Sequence, residues 1–254
     1  HLTRMNLPTH TIALATLLLF TAEACAQISQ LDVGLTSQRE VIRAFSITAE
    51  SEAAPRVLVI AGLDGPSPIT EQLLSFAEHY SQRDAAGRRV NLLVIPIANP
   101  DADILVFPPP GEAYQENPVS HALWRWTGVH APDIIVIVGD DSAGFSEAAS
   151  NLAVAGLGSI PVQTFAEISA LTSQLLEFSE LRYSAAHSEV ERRLARSPSE
   201  LAEQLAGIYG REFSTPAYVP GMGMIGRLRL GQTAAIEEQL KNYLANGEVV
   251  VSNA

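Results

Sequence analysis

Asp64, Asn99, Asp101, Asp140 and Asp141 each follow an apolar run that reads as a buried β-strand. In an open parallel sheet the ligand crevice lies outside the carboxyl ends of the strands, so these side chains are candidates to share one. Gathered there, carboxylates would hold a hard cation such as calcium, magnesium or manganese. Two of them could instead divide acid and base roles, their environments pushing the pKa values apart. Asp64, Asp101 and Asp140 are the candidates for catalysis. Asn99 and Asp141, with Tyr114 and Arg125, are the candidates for ligand contact. The same residue types also form turns and cap helices, so a purely structural reading stands beside the functional one.

Other reactive residues carry weaker patterns. Ser67 lacks a Gly-x-Ser-x-Gly elbow and precedes Pro68 and a helical stretch, which predicts an N-cap. Glu112 and Tyr114 lie in a loop where Pro108, Pro109, Pro110 and Gly111 forbid regular structure. That loop is either a wall of the crevice or an ordinary surface turn. His121 and His130 have no zinc-ligand spacing, and His79 and His187 on helical stretches read as solvated or locally hydrogen bonded. Trp124-Arg125-Trp126 could stack on a ligand. Alternatively one indole packs on the sheet while Arg125 reaches past it.

These residues need a scaffold of alternating strands and helices. The strands are Val57-Leu-Val-Ile-Ala, Asn91-Leu-Leu-Val-Ile and Asp133-Ile-Ile-Val-Ile-Val. Near-continuous apolar runs of this kind suit a sheet covered on both faces. Arg43–Ala49 alternates like an edge strand, and Ser159–Val162 reads as one more short strand. Helices are expected over Thr70–Tyr80, with Leu73, Leu74 and Ala77 as the apolar stripe, and over Ser120–Gly128. Ser197-Pro198-Ser199-Glu200 is a capping box opening a helix to Tyr209, closed by Gly210. The fold class is therefore α/β: three layers, a mostly parallel sheet with helices on both faces, plus a helical C-terminal segment.

The order of these motifs resembles the zinc carboxypeptidases and their relatives, the murein peptide amidases and succinylglutamate desuccinylases. In that family the first strand turns into His-Gly-x-Glu, the second ends Asn-Pro-Asp-Gly and the third ends in His. Here the first motif reads Asp64-Gly65-Pro66-Ser67, the second Asn99-Pro100-Asp101, and Gly139 or Asp140 stands near the last His. The resemblance covers roughly the middle third of the chain. It implies a carboxypeptidase-like hydrolase fold whose zinc ligands are missing. Glu203 and Glu212 are late enough for the family's general base, but neither has a motif around it.

The 254 residues suit one α/β domain with an appendage, and a net charge of −12 excludes nucleic acid and anionic membrane surfaces as expected partners. Arg4, the apolar Ile12–Phe20 and Ala24-Cys25-Ala26 read as a signal peptide over 1–26, with a lipoprotein the lesser alternative. Its removal would take the single Cys, and no stable membrane span is expected. Residues 27–213 are then the carboxypeptidase-like domain. Residues 214–254 are a helical segment that resembles the opening of an α/α-barrel of the unsaturated glucuronyl hydrolase type. The expectation is a secreted or periplasmic pseudoenzyme that binds peptide, amino-acid or sugar ligands, with no cofactor, or zinc or another divalent cation in the alternative. Two further alternatives are an active amide hydrolase with a carboxylate-based metal site and a spacer in a larger carbohydrate-active protein.

Overall fold

The computed structural model describes residues 28–113, 115–211, 218–241, 244–245 and 248–249. The signal-peptide reading of residues 1–26, the junction expected at 213/214, Tyr114 and Glu212 lie outside these described residues.

Four parallel strands form the centre: β3 (Arg56–Ala61), β4 (Asn91–Ile95), β5 (Ile134–Val138) and β6 (Val162–Phe165). Before them come β1 (Ser29–Leu35) and β2 (Val41–Ile47), an antiparallel hairpin that extends the sheet beyond β4. The strand order is β1-β2-β4-β3-β5-β6. The predicted three-layer α/β class is the observed one.

The pleat explains the apolar runs. Leu58, Ile60, Leu93, Ile95, Ile135 and Ile137 face one core, with α2 (Pro118–His130), α3 (Phe145–Asn151) and the start of α5 (Ala185–Leu194) packed on it. Val57, Val59, Leu92, Val94, Ile134 and Val136 face the other, beneath α1 (Ile69–Ser81) and α4 (Ile168–Phe178). Each of these strand side chains is less than a tenth exposed, which removes nearly all of its apolar area from water at about 25 cal/mol per Å².

Local differences from the sequence reading have physical causes. The α1 stripe is Leu73, Phe76, Ala77 and Tyr80, and Leu74 is 39% exposed, because the helix is turned so that Tyr80 can donate to Val90 O at 2.9 Å. Ser67 does not cap α1 with its side chain; its carbonyl accepts from Thr70 N at 3.0 Å and Pro68 occupies the cap position. The last parallel strand begins at Val162 rather than Ser159, since Pro161 has no N–H for the ladder and joins it only through its carbonyl, which accepts from Ile135 N.

Beyond the sheet, α6 (Pro198–Ile208), α7 (Tyr218–Arg229) and α8 (Thr233–Leu240) pack on one another, and a short hairpin pairs β7 (Leu244–Ala245) with β8 (Glu248–Val249). The capping box forms in full, Glu200 N donating to Ser197 Oγ and Ser197 N to Glu200 Oε2. Gly210 turns the chain out of α6 at φ 68° and meets Gly223 backbone to backbone; a Cβ at either position would lie 2.7 Å from the other's main chain. Buried Arg227 fastens the group, donating to Gly210 O, Gln232 Oε1 and Gln239 Oε1. The outer faces of α6 and α7 remain apolar and exposed at Leu201, Leu205, Ile208, Tyr218, Met222 and Ile225. Among the described residues no helix is long and apolar enough to cross a membrane.

Candidate functional site

The chain leaves β3 through α1 on one face and leaves β5 through α3 on the other, so the topological switch point falls between β3 and β5. The loops at this point are Gly62–Gly65 and Gly139–Asp141, which brings Asp64 and Asp140 to its two sides. Asp64 is exposed, and no side-chain hydrogen bond or ion pair holds it among the described residues.

The neighbouring candidates are already engaged. Asp140 accepts from Ser142 N at 3.1 Å and from Ser142 Oγ, a tight Asx-type turn. These bonds, the hydroxyl's first, hold its carboxyl below the usual range. Asp141 accepts from Phe145 N and Ser146 N, both at 3.0 Å, and so closes the first turn of α3. Buried Asn99 joins the exits of β3 and β4: its amide donates to Leu63 O at 2.9 Å and Asp103 O at 2.8 Å, and its oxygen accepts from Asp103 N. Buried and bonded through both amide N–H groups, Asn99 braces the two strand exits. Asp101 turns away toward the β1–β2 turn, accepting from Gln38 N at 3.1 Å and Ser37 Oγ at 3.2 Å. Burial raises its pKa, and bonds from Thr36, Gln38 and Ser37 outweigh that, leaving it lowered. Arg125 is exposed on α2, away from the crest between β3 and β5, while Trp124 and Trp126 are both buried, Trp124 against Phe107 and Phe145. Phe107, stacked edge-on against Phe145 at 4.7 Å, anchors the proline-rich loop.

The expected gathering of Asp64, Asp101 and Asp140 into one metal-holding cluster is therefore corrected. Among the described residues no group of three His, Cys, Asp or Glu side chains could hold an ion together. The donor set does not fit zinc either. Asp64, Ser67 and the Gly139–Asp140 turn supply no imidazole, and the Asp140 carboxylate is committed to Ser142.

A fully buried carboxylate with three donors sits at the opposite, amino-terminal end of the strands. Asp133, fully buried ahead of β5, accepts from Arg56 N at 2.8 Å, Ser184 N at 3.0 Å and His187 Nδ1 at 2.7 Å. His187 is buried too, stacks on Tyr183 at 3.8 Å and points Nε2 toward Glu191 at 3.5 Å. Ser184 Oγ donates to Pro132 O and accepts from His187 N, so no Ser–His–Asp relay exists here. The constellation ties α5 to the sheet. Reading His187 as solvated or locally hydrogen bonded misses its pairing with the distant Asp133, and the only local signals are Ser184 three residues before it and Glu191 four after it.

No family model matches the chain, and no curated protein matches it. Solved metallo-carboxypeptidases are similar to it. One from Burkholderia cenocepacia is 17% identical with a TM-score of 0.35, over 48% of this chain and 38% of its own. One from Pseudomonas aeruginosa, in complex with (2-guanidinoethylmercapto)succinic acid, is 19% identical with a TM-score of 0.36, over 44% of this chain and 35% of its own. The chain thus spans well under half the length of these proteins. The α/β assignment rests on the strand order and registers, not on overlaps of this extent.

Proposed function

We propose that the chain is a secreted ligand-binding or accessory domain for peptide or cell-wall-type ligands, built on a carboxypeptidase-like layout without its hydrolytic metal centre. The donor set at the switch point carries this reading: Asp64 and Ser67 stand where His and Glu would be needed, and Asp140 serves its own turn. Without imidazole ligands the crest lacks the means to polarise a carbonyl or lower the pKa of a water in the family's way. Asp64 is exposed at the crest, which suits recognition of a polar ligand. Calorimetric titration of the full chain with short peptides and muropeptides, with recovery of each by mass spectrometry, tests the reading. Saturable binding with every ligand recovered intact supports it, and cleavage abolished by Asp64→Ala or by chelation would refute it.

A second reading has its own observation. The exposed apolar faces of α6 and α7 suit helices that pack against a following helical domain, which makes the α/β part a spacer in a longer carbohydrate-active protein. A parent reading frame that continues past Ala254 into helical repeats supports this. A stop codon there removes it.

A further inference from the structure

The helical layer over the parallel strands stops short of the β1–β2 hairpin. On that face Gln30, Asp32 and Arg43 stay exposed, and only Ile28, Phe45 and Ile47 of the hairpin reach the core beneath α1. The opposite face of the hairpin is covered, since Leu31, Val33, Ile42 and Ala44 join the core under α2. The step between α1 and the bare hairpin is a groove of about 460 Å³, within the range of ligand sites. Ile28, Phe45, Leu74 and Ala77 make it apolar. Glu71 lies three residues before Leu74 and Glu78 four after it, so the two carboxylates share one side of α1 about 10 Å apart along its axis. Both are exposed, and neither has a side-chain hydrogen bond or ion pair among the described residues. No described cation lines the groove. Arg43 is held by Asp32 at 4.0 Å, and His79 Nδ1 donates to Ser75 O at 2.6 Å. An uncovered apolar strip beside a helix, in a layered sheet, is filled by one more helix. Two free carboxylates seven residues apart favour cations at the same spacing and repel acidic chains.

We propose that this groove docks a basic amphipathic peptide helix. Its apolar side chains lie against Phe45 and Leu74, and two Lys or Arg residues seven apart pair with Glu71 and Glu78. The groove shares no residue with the switch-point loops, so the inference does not depend on a ligand at the crest.

Titration calorimetry of the full chain with the acetylated, amidated peptide KAALAAAKAALAAAK tests it. This probe repeats lysine every seven residues and sets leucine on the same side. Saturable binding is expected, weaker by about tenfold or more when every lysine is replaced by glutamate, or both leucines by alanine. Exposed ion pairs contribute little singly, so the double variant Glu71→Gln/Glu78→Gln should weaken binding by about fivefold, and Leu74→Gln by about tenfold. Glu177→Gln/Glu180→Gln removes the same charge from exposed positions on and just after α4, and should bind like the wild type. Equal binding of the lysine and glutamate peptides, no saturable binding, or wild-type affinity in Glu71→Gln/Glu78→Gln overturns the inference. Equal losses in the two double variants also overturn it, because attraction to the net charge of −12 would then suffice.

Discussion

Replacing Asp133 by Ala strands three donors in the interior: Arg56 N, Ser184 N and the Nδ1–H of His187. Hydrogen bonds to a charged acceptor contribute about 1.5–3 kcal/mol each. The three share one carboxylate and are not additive, so the sum overstates the loss. A buried donor left without its partner costs about 1–3 kcal/mol, and for three that share one acceptor about 3–5 kcal/mol is the expected destabilisation here. For a chain of this size it corresponds to a fall in Tm of roughly 6–20 °C. Asp133→Asn keeps one acceptor oxygen and should cost less, about 2 kcal/mol. Urea unfolding followed by tryptophan fluorescence reads this directly, because Trp124 and Trp126 are buried on α2 over the sheet. A loss below about 1 kcal/mol for Asp133→Ala would mean that water or a shifted α5 satisfies the donors, and the bolt between α5 and the sheet would be refuted.

Four further outcomes are expected. Gly223→Ala should destabilise the α6–α8 group by about 1–3 kcal/mol, since its Cβ meets the Gly210 backbone, whereas Gly226→Ala in open space on the same helix should stabilise by about 0.5–1 kcal/mol; thermal melts of both check the reversal of sign. Gly34→Val should cost about 1–3 kcal/mol by pressing β1 away from α2, visible in thermal melts. Bonds from Arg192 and then Arg193 hold Glu189 down to about 2 from its ordinary 4.5, so its contribution is complete above pH 4.5 and lost as pH falls toward 2; Glu189→Gln should flatten the Tm profile in that window and more weakly in high salt. Burial, with the Arg56 charge second, lowers His130 from its ordinary 6.5, so its contribution is present above pH 6.5 and declines below it; a His130→Gln Tm profile should lose that slope.

Continuous apolar runs made β3, β4 and β5 legible, and a capping box made α6 legible, because these elements are fixed by neighbours close in sequence. The edge strand β1 was not, since Ser29–Leu35 is half-polar and largely exposed, and acquires its identity only by pairing with β2. The helix α4 carries Ile168, Leu171, Leu175 and Phe178 at helical period, a signal that reading strand runs and caps passes over. For the candidate site, sequence identified which residues follow the strand ends but not what each one meets there. Whether an Asp is a ligand or a cap depends on which N–H it meets, and Asp101 and Asp141 meet Gln38 N and Phe145 N. The pairing of Asp133 with His187, 54 residues apart, leaves no trace in local pattern.

The proposed absence of a zinc centre from the carboxypeptidase-like layout is checked by titrating the dialysed full chain with zinc, followed by calorimetry and by metal analysis after gel filtration. No stoichiometric zinc should be retained, and the heat profile should be unchanged in Asp64→Ala. One equivalent of tightly held zinc, lost on substituting Asp64 or Asp140, would contradict it.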